Sequence, residues 1–405
     1  MEKLLSQFGD PQNNLPPTIH IAGTNGKGST TAFCRAILEA AGKKVHVYSS
    51  PHLVNWRERI RIAGKLIEDQ KLSEMIAFIA NIADPDVTIF EMLTACAFLT
   101  FSENKADAAI FEVGLGGKLD ASNVIKSPTC SVITPISLDH CKILGSNLSA
   151  IAQEKAGIIK QNCPLVLSTQ PQEAMEVFTQ IAQEKQSQIF ALGSDFNFEL
   201  KEGNIRWYNQ TDCYNLPFPK LKGTHQLDNA ATAIQATKIM FADINERMIG
   251  HALQNVDWPA RLQNIKSGTI WKALQGKGLD IWLDGAHNEA GAESCANFIK
   301  SLEKRVVMVT AMLNTKDIAA FLSKFKFVDK CYTVAISDTE NCVVPSLLQQ
   351  KALKFGINDC TNANSLANAI NIISTQQHTE PTIILIAGSL HLAGEFLKLN
   401  NTIPN

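Results

Sequence analysis

Short apolar runs alternate with stretches of helical periodicity along most of this chain. Thr18–Ala22, Lys44–Tyr48, Ala108–Val113, Ser131–Ile136 and Pro164–Ser168 are compact, β-prone runs of the kind that fill a buried strand. Between them, Phe33, Ile37, Leu38 and Ala41 recur at helical spacing, which predicts a helix over 29–41. The pattern also predicts an amphipathic helix over 69–82, an apolar helix running to Phe101 and a helix over 149–160. Residues 187–222 look more exposed and antiparallel, and a small-residue helix then runs from Gly223 to about Phe241. A second set of strands is expected at 281–284, 306–311, 331–336 and 382–387, with helices between. Strands alternating with helices predict a largely parallel sheet. The fold class expected is therefore α/β: a mostly parallel-sheet domain over 1–263, a linker at 264–279 with three glycines and three lysines, and a smaller Rossmann-like α/β domain over 280–405.

Polar clusters sit where these strands end. Gly23-Thr-Asn-Gly-Lys-Gly28 follows the first strand and opens a helix with Ser29 and Thr30. Strand, glycine loop with lysine, hydroxyl, helix is the layout of a phosphate cradle, because glycines let N–H groups approach an anion and a helix N-terminus favours it. Lys27 would reach the terminal phosphates. The general pattern G-x-x-x-x-G-K-[ST] is met imperfectly: Ile21 stands where glycine is wanted, and Gly28 separates Lys27 from Ser29. Ser50 follows the second strand, Glu112 closes the third ahead of Gly114-Leu-Gly-Gly-Lys-Leu-Asp120, and Asp139-His140 follow the fourth. Ligands of an open parallel sheet bind at that edge, so the four clusters are expected to converge on one cleft.

With 45% hydrophobic and 19% charged residues in a 405-residue chain, the composition is that of an ordinary soluble protein. A net charge of −2 gives no electrostatic case for nucleic acid or an anionic membrane. No apolar run approaches the ~20 residues of a membrane span. Ten cysteines without a C-x-x-C pair favour reduced thiols and a cytoplasmic location over disulfides or zinc. No exposed apolar stripe demands a partner, so a monomer is expected.

The motifs together resemble the dihydrofolate synthase/folylpolyglutamate synthase family of Mur-type amide ligases. Ala22-Gly-Thr-Asn-Gly-Lys-Gly-Ser29 has the family's form, including the glycine after the lysine, and Glu112-Val-Gly-Leu-Gly-Gly-Lys-Leu-Asp120 is similar to its second signature. Tyr48-Ser-Ser-Pro-His-Leu53, Leu138-Asp-His140, Glu154-Lys-Ala-Gly-Ile158, His225-Gln-x-x-Asn229, Trp258-Pro-x-Arg261, Asp284-Gly-Ala-His-Asn288 and Gly388-Ser-Leu390 follow in the family's order.

The resemblance implies an ATP-driven ligase: a carboxylate of dihydropteroate or a folate takes the γ-phosphoryl group, and the amine of L-glutamate displaces phosphate. It implies ATP contacts from Thr24, Asn25, Gly26, Lys27, Gly28, Ser29, Thr30, Asn229 and Arg261 in the first domain and Asp284 in the second. Mg²⁺, as one or two ions, would be held by Ser50, Glu112, His140 and a carbamylated Lys155. Lys155, His287 and Lys27 are the catalytic candidates, and Thr88, Ile89, Phe90, Glu91 and Leu119 the substrate contacts. A nucleotide held by Arg261 and Asp284 together would lie between domains whose closure excludes water.

The family pattern also carries a segment with a Gly-Leu-type motif ahead of the phosphate loop. Residues 1–17 lack it, so either the sequence starts late or one wall of the pterin pocket is shorter. Two other readings compete: a Mur-type ligase of cell-wall precursors and a P-loop switch ATPase. The glycine after Lys27 argues against the first, and Asp284-Gly-Ala-His287 on a separate domain against the second.

Overall fold

The computed structural model describes residues 1–201, 203–337 and 339–404. Two compact units emerge, one of residues 1–220 and 225–257, the other of 221–224 and 258–405.

The first unit is built on an eight-stranded sheet in the order β4-β3-β2-β5-β1-β6-β7-β8. Its strands are β1 Thr18–Ala22, β2 Val45–Tyr48, β3 Ile60–Ile62, β4 Lys65–Leu66, β5 Ala108–Glu112, β6 Cys130–Ile133, β7 Leu165–Leu167 and β8 Ile189–Ala191. Pairings among β2, β5, β1, β6, β7 and β8 are parallel, while β3 and β4 add an antiparallel edge. Every residue of β1, β2, β5, β6 and β7 is buried, as expected of parallel strands covered on both faces. The helix Lys27–Ala40 packs on His225–Met240 and Glu246–Asn255. Both it and His225–Met240 are rich in small buried residues, which lets the backbones come close. A three-stranded antiparallel sheet, β9 Phe196–Lys201, β10 Asn204–Asn209 and β11 Cys213–Leu216, completes the unit around buried Trp207.

Strand order reverses at β1: the chain crosses from β1 to β2, returns through β5, and continues on the other side with β6. That reversal opens a crevice at the carboxyl end of β1, the standard ligand position of such sheets.

The second unit is a six-stranded sheet in the order β12-β13-β17-β14-β15-β16. Its strands are β12 Gln263–Ile265, β13 Leu279–Leu283, β14 Arg305–Thr310, β15 Lys330–Ala335, β16 Cys360–Ser365 and β17 Thr382–Ala387, parallel except for β12.

Two sequence expectations need correction here. Residues 264–279 are not a bare linker: β12 pairs with β13, and Thr269–Leu274 is a helix whose Ile270 and Trp271 N–H groups donate to Asn400 Oδ1. Arg261, assigned to the first domain, lies in the second unit, because the Leu262 N–H donates to buried Asp284 at 2.7 Å and draws the segment there. The polar strand β16, with only Cys360 and Ala363 buried, has no apolar run to announce it.

Candidate active site

The glycine loop leaves β1 and turns into the helix Lys27–Ala40. Gly26 is its N-cap with φ +87°, a left-handed conformation that a side chain resists. A Cβ there would also lie 2.4 Å from Asn229 Oδ1. Gly26 has no side chain with which to cap this helix, and a helix N-terminus of this kind favours an anion.

The loop is tied to the segment after β6. Thr24 and Asn25 N–H groups donate to Pro135 O at 3.1 and 3.2 Å, and Asn25 Nδ2 donates to Ser137 Oγ at 3.0 Å. β6 stops at Ile133, short of the expected 136, because Pro135 has no N–H to continue the ladder. Lys27 Nζ donates to the loop carbonyls of Gly23 and Thr24 at 3.1 and 3.3 Å. Ser29 and Thr30 are buried at the base of the loop, where Gln226 Nε2 donates to Ser29 Oγ and Thr30 Oγ1 to Asn229 Oδ1.

Adjacent strands bring the other groups to the same edge. Ser50 follows β2, buried Glu112 ends β5, and His140 follows β6. His140 has φ +51°, a sparsely populated conformation for a side-chain-bearing residue, and its N–H donates to Asp139 Oδ1 at 2.8 Å. Among the described residues no three His, Cys, Asp or Glu side chains form a metal cage by themselves. The oxygens of Ser50 and Glu112 suit a hard cation that keeps some water and takes the rest of its ligands from phosphates; imidazole is an uncommon partner for it.

Lys155 is a strongly perturbed charge near this edge. It lies near the end of the helix Leu148–Ala156 and is only 4% exposed. Burial, followed by repulsion from Lys27, lowers its pKa to about 7 from the usual 10.5, against the pull of Asp139, Asp120 and Glu154. The second glycine loop presses on it from above: Lys118 N donates to Glu154 O at 2.7 Å, and a Cβ on Gly117 would lie 3.0 Å from the Lys155 Cα. Across the same contact, a Cβ on Gly157 would lie 2.3 Å from Lys118 Cα. Backbone cannot yield as a side chain can, so Gly157→Ala is expected to cost about 1–3 kcal/mol in denaturant unfolding. A variant as stable as the wild type would show that the loop can shift.

Sequence reasoning missed what holds that second loop in place. Asp120 Oδ2 accepts the N–H groups of Gly114 and Leu115 at 3.0 and 3.2 Å, and its Oδ1 accepts Ser122 N and Oγ. The Ser122 hydroxyl, having given its hydrogen to Asp120, receives one from His20 Nε2 at 2.9 Å. His20 is fully buried in β1; burial, then the charge of Lys160, lowers its pKa to about 3, so the ring is neutral. Asp120 closes a quoted motif and was within reach of sequence reasoning. His20 and Ser122 lie 102 positions apart and carried no signal.

The proposed substrate contacts divide. Thr88 and Glu91 form a capping box for the helix Ile89–Glu103, with Glu91 accepting the Thr88 N–H and hydroxyl at 2.9 and 2.8 Å. Those side chains therefore have a structural task. Phe90 packs against Gly114, where a Cβ would meet its ring at 2.4 Å, and against Tyr48 at 6.3 Å between centroids. Ile89 is exposed, and Leu119 is 87% exposed, so neither is core packing.

In the second unit, Asp284 is buried and accepts Leu262 N at 2.7 Å and Ala286 N at 2.8 Å. Burial raises its pKa; Arg261 and the two N–H groups oppose that rise. Arg261 Nη1 donates to Ala260 O at 2.9 Å and passes so close to Gly285 that a Cβ there would lie 2.8 Å from it. His287 Nδ1 is 2.9 Å from Gly285 O, an oxygen that can only accept, so that nitrogen carries the hydrogen. Arg261, Asp284 and His287 thus come together in this unit.

This phosphate loop on an α/β sheet, with a buried lysine and a carboxylate at the strand ends, agrees with what the chain is similar to: residues 21–237 match the Mur ligase middle domain. The architecture and loop are those of a Mur-type ligase. Residues 266–399 match the C-terminal domain of dihydrofolate synthetase. A dihydrofolate synthase/folylpolyglutamate synthase of Bacillus subtilis is 32% identical over 98% of this chain and 93% of its own. The structure of E. coli FolC in complex with DHPP and ADP superposes with a TM-score of 0.88 at 30% identity, covering 98% of this chain and 91% of that one. A bifunctional folylpolyglutamate synthase/dihydrofolate synthase with Mn, AMPPNP and L-glutamate bound has a TM-score of 0.86 at 28% identity, over 98% and 92% of the two chains. The chain belongs to the dihydrofolate synthase/folylpolyglutamate synthase family.

Proposed function

We propose that this protein is an ATP-dependent ligase of folate metabolism that joins L-glutamate to dihydropteroate, to a folate, or to both, through an acyl phosphate. One observation carries the proposal: a phosphate loop and a buried carboxylate stand at neighbouring strand ends of one sheet, and a buried helix lysine of depressed pKa lies within electrostatic reach of the loop's Lys27. A free carboxylate is a poor electrophile, so it must be phosphorylated before an amine can attack. The N–H groups at the start of the helix Lys27–Ala40, together with Lys27, neutralise the phosphates. Ser50, Glu112 and His140 are the residues to hold a divalent ion, which would neutralise the rest of that charge. Asn229, packed against Gly26, keeps the loop open for the nucleotide.

Lys155 is assigned as a carbamate. Its amine, neutral for a large fraction of molecules near pH 7, adds to CO₂: a nitrogen–carbon bond forms and one proton leaves to solvent. The product is a carboxylate, able to act on a cation where the lysine would repel one. The pterin is placed against Phe90 and Leu119. The Leu119 side chain, 87% exposed, is accessible to such a ligand. Small-molecule substrates and a cytoplasmic location complete the proposal; no helix among the described residues is long and apolar enough to cross a membrane.

The test is product mass and ADP release from the protein with ATP, Mg²⁺, L-glutamate and either dihydropteroate or tetrahydrofolate. Glutamylated product and glutamate-dependent ADP release are expected. ADP release indifferent to glutamate, with no adduct, would identify a switch ATPase instead.

A further inference from the structure

The residues that follow β2 hold a cation that none of the roles above uses. Arg59 lies beside the strand end, its carbonyl accepting the Ser49 N–H at 2.9 Å. Its guanidinium is partly buried and fixed on several sides: Nε donates to His52 Nδ1 at 2.9 Å, Trp56 stacks 5.2 Å away, and Tyr48 interacts with it through its hydroxyl. The loop carrying it is rigid, because Glu58 accepts the N–H groups of Leu53, Val54 and Asn55 at 2.7–2.9 Å.

None of the anchors on its guanidinium carries a negative charge. Neighbouring arginines pair with carboxylates, Arg35 with Glu39 and Arg57 with Asp69. Among the described residues none forms an ion pair with Arg59, although Glu112 and Glu58 lie close enough to favour its charge. Burial of a guanidinium without a carboxylate partner is costly unless an anion arrives. Its place shows which anion. On one side Tyr48 leads to Phe90, the wall proposed for the pterin; on the other stand Ser49 and Ser50, with Glu112 within electrostatic reach. A substrate lying between the aromatic wall and the phosphate end of the site has its carboxylate at Arg59. An arginine fork suits a carboxylate better than a lysine would.

We propose that Arg59 binds the carboxylate that is to be activated and so aligns it for phosphoryl transfer. The proposal rests on the ligase reading above. It assigns His52, Tyr48 and Trp56 as positioning residues that hold the guanidinium.

Binding of pteroate and of its carboxamide, in the presence of ADP and Mg²⁺, tests it by calorimetry. The wild-type chain is expected to prefer the acid by about 10–100-fold, the worth of a charged hydrogen-bonded contact. Arg59→Gln should bind both alike, and Arg59→Lys, which keeps the charge and guards against a folding failure, should recover part of the preference. Retained ADP binding serves as the check on folding. If either variant keeps the full preference while the wild type still glutamylates dihydropteroate, the assignment of Arg59 is overturned and the ligase reading stands. A wild type that neither binds pteroate nor forms the adduct overturns both.

Discussion

Lys155→Ala is expected to lower the ligation rate by roughly 10²–10³-fold, the scale for removing one preorganised charged group from an active site. A surface lysine would give no such loss. The wild type should also show a falling limb in activity as pH drops through about 7 at fixed dissolved CO₂, because the protonated amine cannot add to it. Stability supplies a second readout that does not depend on turnover. The folded-state pKa is below the unfolded value, so between about 7 and 10.5 the unfolded chain binds the extra proton and stability rises with pH. Below about pH 7 the folded state must carry a buried charge, and the cost is present in full. A shift from 10.5 to about 7 corresponds to roughly 5 kcal/mol at about 1.4 kcal/mol per unit. In CO₂-free buffer, Lys155→Met should therefore be more stable than the wild type at pH 6, and the gap should narrow by pH 9.5. Equal denaturant midpoints for the two chains across that range, with full activity in Lys155→Ala, would remove Lys155 from the mechanism.

Lys27→Met carries the next largest effect. Its ammonium now donates to the carbonyls of Gly23 and Thr24, within the loop itself. Phosphates of a bound nucleotide would draw it outward, so its loss should reduce kcat/KM for ATP by about 10²–10³-fold through lost charge stabilisation. There is a linked consequence. Lys27 is the second contributor, after burial, to the lowered pKa of Lys155. Without it Lys155 becomes a stronger base, and CO₂ uptake, followed by mass or by ¹³C NMR, should require higher pH. Unchanged ATP turnover would sink the phosphate-loop assignment, and an unmoved uptake profile would separate the two lysines.

Much of this was legible in one dimension because it is local. The period-2 and period-3.6 patterns mark strands and helices from neighbours a few positions apart, and β1, β5, β14, β15 and β17 stand within one or two residues of where the apolar runs put them. The phosphate loop is local as well: its glycines, its lysine and the helix that follows are contiguous, and so is the backbone geometry they require. The carboxylate of Glu112 was visible as an acid closing an apolar strand. In each case the chemistry and its cause lie within one short window.

Residues 264–279 show where local reasoning stops: glycines and lysines suggested an open tether, but hydrogen bonds to Asn400 and pairing with β13 fold the stretch. β16 was missed for the same reason, since its place comes from pairing with β15 and not from its own polar sequence.

Alone, the sequence determined the α/β elements, the glycine loop proposed to hold phosphate and, by resemblance, the kind of ligase. Tertiary structure decided what each charged group meets: Lys155 buried near Lys27, Asp120 tied through Ser122 to His20, and Arg59 held by His52 and Trp56, with no ion pair among the described residues. Burial and charge pairing are set by chain segments up to more than a hundred positions away, and they, more than residue type, determine whether a lysine is an inert cation or a reactive amine.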